Sequence, residues 1–234
     1  MRERHSLPVR PTARRLTVAV DVVTLSPRDD ALAVLLVPAL TGARERWSLP
    51  WDGPREGERI EEVGARLARA LLGTAPTLVE QVGAASDGRR HPGGAAVSIG
   101  VVALSPLGTA TPTAGSGAAW FPIGELPPLA PRHRAIVDHA ALRVRQRLDQ
   151  SPIAFQLLPS TFTLSELQGI YELLMGRRLH KASFRRALQG SFLVEPTDAW
   201  RSEGRGRPAQ LFRFAPKKRR RASRSVRFDL SGEE

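Results

Sequence analysis

Residues 153–214 constrain the fold more tightly than any other stretch. Thr163-Leu164-Ser165-Glu166 has capping-box spacing, in which a hydroxyl and a glutamate three positions on satisfy each other's backbone N–H. Leu164, Leu167, Tyr171 and Leu174 then recur at steps of three and four, the period of a helix with one apolar stripe, and Gly176 stops it. Leu179 to Gln189 (LHKASFRRALQ) reads as a second helix with Phe184 and Leu188 inward and Lys181, Ser183, Arg185, Arg186 and Gln189 outward. Two short helices around a tight turn form a helix-turn-helix. Leu193 to Trp200 and Ala209 to Phe214 follow as strands, with Ser202 to Pro208 (SEGRGRP) as a glycine-rich basic tip. Helix, helix and basic hairpin, in that order, predict a winged helix.

The charge distribution says what such a module meets. The net charge is +12. Residues 1–15 hold five Arg against one Glu, residues 16–150 hold 14 basic and 14 acidic side chains, and residues 151–234 hold 16 basic and 8 acidic. A neutral body with basic ends points to a polyanion at the ends. Double-stranded DNA is the expected partner. On the second helix Arg and Gln suit base edges, while Lys and Ser suit phosphates. Arg205 and Arg207, at the wing tip, suit phosphates or a minor groove. Lys217 to Arg227 has seven basic residues and no acid, cannot build a core, and is expected to add salt-sensitive affinity of no particular sequence. An RNA-binding adaptor driven by these tails is a competing reading.

At 234 residues with 41% apolar side chains, the chain is long enough for two small cores. The absence of cysteine excludes disulfides and cysteine-ligated zinc. No apolar run reaches the roughly 20 residues of a membrane span, and the Arg- and Pro-rich start has no signal core, so a cytoplasmic protein with no membrane partner is expected. The expected organisation is a disordered basic arm (1–15), a first domain with a connecting helix (16–150), the winged helix (151–215) and a disordered basic tail (216–234).

In the first domain, Leu16 to Leu25 and Ala31 to Leu40 read as a hairpin turning at Ser26 to Asp30 (SPRDD), where Pro favours the bend. Thr41 to Arg55 reads as a loop. Glu58 to Leu72 is an amphipathic helix on Ile60, Val63, Leu67 and Leu71, closed by Gly73. Leu78 to Ala85, Ala95 to Leu104 and Ala118 to Ile123 read as strands, with a polar loop at Ser86 to Gly94. Pro131 to Gln150 is a helix with Ile136, Ala140, Val144 and Leu148 on one face, and connects the domains.

The stretch LPWDGPREGERIEEVGARLARALLG, from Leu49 to Gly73, resembles a degenerate Nudix box, G-x5-E-x7-R-E-U-x-E-E-x-G-U with U aliphatic. Glu58, Arg66 and Gly73 match. The box glycine is Asp52, and the three downstream glutamates fall at Leu67, Ala70 and Leu71. Those positions are i, i+3 and i+4, one helix face. In active members that face holds Mg²⁺ through carboxylate oxygens. Here it offers two leucines and an alanine, so no metal, no cofactor and no catalytic residue is expected, and the chain is not read as an enzyme. Glu56, Glu58, Glu61 and Glu62 read as capping and solubility residues.

With LLPSTFTLSELQGIYELLMGRRLHKASFRRAL, GRGRPAQLFRF and SDGRRHPGGAAVSIGVVAL, the chain resembles the Nudix-related transcriptional regulators of the NrtR family, repressors of bacterial NAD-metabolism genes. The resemblance spans about residues 16–215. It implies a Nudix-like α/β sandwich followed by a winged helix-turn-helix, a homodimer on a palindromic operator, and an effector such as ADP-ribose or a related nucleotide that weakens DNA binding. Trp47, Trp51, Arg55, Arg66, Arg89 and Arg90 are the candidate effector-binding residues, as stacking surfaces and phosphate donors. Two alternatives remain: an active nucleotide pyrophosphohydrolase, and a regulator of sugar metabolism that senses a sugar.

Overall fold

The computed structural model describes residues 16–108, 111–148, 151–202 and 208–215. In the first half, β1 (Val18–Arg28) and β2 (Ala31–Pro38) form the expected hairpin. The bend is tighter than the sequence suggested. Pro27 stays within β1 opposite Leu32, and only Asp29 and Asp30 turn, with φ of 43° and 60°. Such a two-residue turn matches the twist of the strands and accepts Asp in the left-handed region. The expected loop at 41–55 carries two short strands, β3 (Trp47–Ser48) beside β2 and β4 (Trp51–Asp52) beside β1.

The box helix α1 (Ile60–Leu72) starts two residues later than expected. Its first turn is held by the Glu62 carboxylate, which accepts from the Arg59 N–H at 2.9 Å. Gly73 closes it in the left-handed conformation. Strands β5 (Leu78–Ala85), β6 (Val97–Leu104) and β7 (Ala119–Pro122) complete one mixed sheet. Its order is β3-β2-β1-β6-β5, with β7 on β2 and β4 on β1. β1 and β6 run parallel and the other pairs antiparallel.

Helices cover both faces. α1 lies on one, where Val63, Ala68 and Leu72 are buried. Gly64 permits this approach, since a Cβ there would sit 2.7 Å from Val101 Cγ1. α2 (Pro131–Gln146) covers the other face with Ile136, Val137, Ala140 and Val144. A 3₁₀ turn over Ile153–Leu157 then leads to α3 (Leu164–Met175) and α4 (Lys181–Ser191). The capping box at Thr163 forms as expected: Glu166 N–H donates to the threonine Oγ1 at 3.1 Å and Thr163 N–H to the glutamate at 2.7 Å. The wing is β8 (Val194–Arg201) against β9 (Ala209–Phe214).

The two halves share a core. One continuous cluster runs from Val23, Leu36 and Val102 of the sheet through Ile136 and Val144 to Phe155, Leu167, Phe184 and Leu193. Polar contacts stitch the same seam. Leu107 N–H donates to Leu157 O at 2.9 Å, and Thr77 Oγ1 donates to Gln156 O at 2.5 Å. Among the described residues no helix is long and apolar enough to cross a membrane.

Candidate functional site

A pocket of about 390 Å³ opens at the box helix. One wall is Leu67, Ala70 and Leu71, and the others are Val37, Pro38, Leu40 and the segment Ser48–Asp52. The size lies in the range of small-molecule sites, and the lining is mostly apolar with few polar groups. The three positions that would supply carboxylates to Mg²⁺ face this pocket as two leucines and an alanine. The nearby acids are otherwise engaged. The Arg66 guanidinium bridges Glu58, at 2.7 and 3.0 Å, and Asp52, at 2.8 Å. That arginine and the Arg55 N–H, at 2.9 Å, hold the Glu58 carboxyl down at about 2, and Arg66 lowers Asp52 as well. A hard cation needs oxygen ligands converging on one point. The residues present do not fit it.

The densest polar cluster lies behind the pocket. Asp21, in the middle of β1, is fully buried, and its Oδ1 meets His91 Nε2 at 2.9 Å and His133 Nε2 at 3.0 Å. Their ligand-capable atoms lie within 4.8 Å of one another, as in a metal triad. The hydrogen bonds exclude that reading. Leu49 N–H donates to His133 Nδ1 at 3.1 Å, and Gly93 N–H donates to His91 Nδ1 at 3.0 Å. Backbone N–H groups only donate, so both Nδ1 atoms are bare and each neutral ring carries its proton on Nε2. Both protons point at Asp21, leaving no ring lone pair for a metal. Burial pushes the Asp21 carboxyl up, but the hydrogen bonds from His133 and His91 outweigh it and hold it at about 2. Burial pushes His133 down, against the pull of Asp21.

This cluster touches the pocket directly. Leu49, which donates to His133, lines it, as does Ser48, whose Oγ lies 3.3 Å from the same Nδ1. Trp51, another lining residue, meets the His91 ring edge-on at 4.9 Å. It also lies over Gly93, where a Cβ would fall 2.2 Å from Trp51 Cη2.

The second surface is the outer face of α4. Phe184 and Leu188 are buried, while Lys181, Ser183, Arg185, Arg186 and Gln189 are exposed. Among the described residues, Lys181, Arg185 and Arg186 pair with no acid, and Ser183 Oγ lies 3.3 Å from His180 Nδ1. The face is a row of uncompensated cations on a helix seated on an aromatic contact, Tyr171 against Phe184 at 5.6 Å. Arg205 and Arg207 lie outside the described residues.

Comparison with known proteins agrees with this geometry. The model of the NrtR DNA-binding winged helix domain matches residues 154–214. A protein of Acinetobacter baylyi, named as an ADPR responsive transcriptional repressor, is 30% identical over 206 residues, covering 85% of this chain and 82% of the relative. The chain belongs to the NrtR family. The crystal structure of Shewanella oneidensis NrtR complexed with a 27mer DNA superimposes with a TM-score of 0.76 at 29% identity, covering 90% of this chain and 97% of that one. A MutT/nudix family protein from Enterococcus faecalis shares the fold, with a TM-score of 0.67 at 19% identity.

Within this NrtR-family chain, the six candidate effector residues do not share one cavity. Trp51 lines the pocket. Arg66 stands beside it, locked to Asp52 and Glu58. Trp47 instead packs edge-on against Phe121 at 4.8 Å. Arg89 pairs with Asp87 at 2.6 Å and lines a separate depression between β5 and α2. Arg90 pairs with Glu45. Arg55 is exposed. Asp21, His91 and His133 were not among the candidates. A signal existed: a carboxylate inside LTVAVDVVTL cannot stand in an apolar strand without partners.

Proposed function

We propose that this chain is a DNA-binding transcriptional repressor of NAD-metabolism genes. Its Nudix-like half has given up hydrolysis and senses ADP-ribose or a related nucleotide. The observation that carries the reading is the exposed face of α4, with Lys181, Arg185, Arg186 and Gln189 projecting from a packed helix. Arginine and glutamine reach base edges in a major groove, and the lysine reaches phosphate. A homodimer would set two such helices about 34 Å apart, one turn of DNA, on a palindrome. Arg205 and Arg207, which lie outside the described residues, are proposed from the sequence as further phosphate or minor-groove contacts.

The box helix supports the reading of a half that does not hydrolyse nucleotides. Leu67, Ala70 and Leu71 bring no carboxylate to the pocket for Mg²⁺ or for a proton from water, and Asp52, which also lines it, is held by Arg66. An apolar wall suits a base or sugar face, and Trp51 supplies a ring beside it. The Acinetobacter relative's name supports ADP-ribose as the effector class.

Selection of bound sequences from a random duplex pool with the full chain tests the first part. A palindrome with half-sites one turn apart is expected, and recovery of no sequence preference would sink the reading. Adding ADP-ribose is expected to weaken binding to that duplex by about 5- to 150-fold. Incubation with ADP-ribose and Mg²⁺ is expected to release no AMP.

A further inference from the structure

We propose that Asp21, His91 and His133 are the positioning residues through which occupancy of the α1 pocket reaches the winged helix. The inference rests on the reading of that pocket as a sensor. Two residues of the one pocket-lining segment, Ser48–Asp52, each hold one histidine. Leu49 donates its N–H to His133, and Trp51 lies against the ring of His91. Both rings then converge on a single oxygen, Asp21 Oδ1. His133 belongs to the first turn of α2. Its neighbour Arg132, also buried, ties that turn to Ala85 O at 2.9 Å and to Asp87 at 3.4 Å, so the start of α2 is bound to the loop that carries His91. Ala140 and Val144 in the far half of α2, and Leu148 just beyond its end, are packed in the same core as Phe155, Leu167 and Phe184.

A relay needs an element with two arrangements, not merely a path of contacts. The Asp21 carboxylate supplies one. Its Oδ1 takes both imidazole protons, while its Oδ2 is buried and has no hydrogen-bond partner in the described residues. A small rotation of the carboxylate would give one histidine to each oxygen. The first arrangement leaves a charged oxygen buried and unpaired, and the second satisfies both oxygens but separates the rings. Neither ring can adapt by changing tautomer, because Leu49 N–H and Gly93 N–H hold both Nδ1 atoms as acceptors. A ligand that shifts the Ser48–Asp52 wall by a few tenths of an ångström therefore favours one arrangement. The displacement is handed to α2 as a rigid body.

The test compares wild type, His133→Leu and His133→Gln as full chains. Operator affinity with and without ADP-ribose is read by fluorescence anisotropy, and ADP-ribose affinity by calorimetry. Leucine severs both bonds of the ring, whereas glutamine offers an acceptor to Leu49 and a donor to Asp21. Wild type is expected to lose operator affinity about 10-fold or more with ADP-ribose. The leucine variant should lose less than about 2-fold, with each separate affinity within about 3-fold of wild type, and glutamine should restore most of the response. A leucine variant that releases DNA as wild type does overturns the proposal. A wild type that ignores ADP-ribose overturns the sensor reading and this inference with it. Should the leucine variant fail to fold, hydrogen exchange of wild type decides. Altered protection at Leu49 and Gly93 on adding ADP-ribose supports the relay, and unchanged protection during DNA release overturns it.

Discussion

The two helices that front the two candidate surfaces differ in what they leave unpaired. Both α1 and α4 are amphipathic and both bury one face. On α1 the polar side chains nearest the pocket are satisfied at home: Arg66 is held by Glu58 and Asp52, and Glu62 closes the first turn. What α1 turns to its pocket is Leu67, Ala70 and Leu71. On α4 the hydrophobic residues are consumed by the core and the cations are left over. A charge with an internal partner contributes to structure, whereas a row of like charges without one repels itself and is relieved by a ligand of opposite sign. The difference separates an apolar pocket wall from a cationic surface within one chain.

Replacing Arg185 and Arg186 together by alanine should have the largest effect on DNA binding. Operator affinity is expected to fall about 30- to 1000-fold, with a shallower salt dependence and an unchanged melting temperature. An unchanged affinity would break the contrast between the helices. Next in size is Phe184→Ala, which empties the seat of α4 and should cost about 3–5 kcal/mol of stability in denaturant titrations. The contrast is sharpened from the other side by Leu67→Glu, Ala70→Glu and Leu71→Glu combined. Mg²⁺ is expected to raise the melting temperature of that variant by a few degrees, as RT ln(1 + [L]/Kd) requires, and to leave wild type unmoved.

A smaller effect follows from pH. The unfolded chain takes a proton on His133 near pH 6.5, while burial keeps the folded ring neutral to lower pH. The unfolded state then binds more protons, so stability falls as pH drops below about 6.5. The depressed Asp21 and Glu58 carboxyls add a second loss between about pH 4 and 2. Thermal melts from pH 7.5 to 5 should show the first decline, and His133→Gln should flatten it. Last comes Thr163→Ala, which removes the cap of α3 and should cost about 1 kcal/mol in the same melts.

How much of this was legible in the sequence follows from the range of the interactions. The winged helix was readable because its signals are local: a capping box, a stop glycine, two stripes and a basic turn. The empty box was readable because the three lost carboxylates lie within five residues of each other on one helix. The Asp21 cluster was not, because its bonds join residues 70 and 112 positions apart, and no periodicity reports such a meeting. The scatter of Trp47, Arg89 and Arg90 has the same cause. Residue type suggested stacking and phosphate binding, but only the fold decides that Phe121, Asp87 and Glu45 claim them first. The bend was misplaced onto Pro27 because proline suits both a turn and a strand end, and the decision fell to the two aspartates that follow.

The shared core also bears on how such regulators can be rebuilt. A chimera that exchanged the Nudix-like half at the boundary between the halves would be cut near residue 150. That cut would run between Leu148 and Ile153, through apolar side chains that pack together. A grafted sensor would need to bring α2 and the Ile153–Leu157 turn with it, or present an equivalent surface to Leu167 and Phe184. The unit to be moved is therefore the Nudix-like half with α2 and the Ile153–Leu157 turn, and any helices and wing placed beyond Leu158 must keep the apolar surface that meets it.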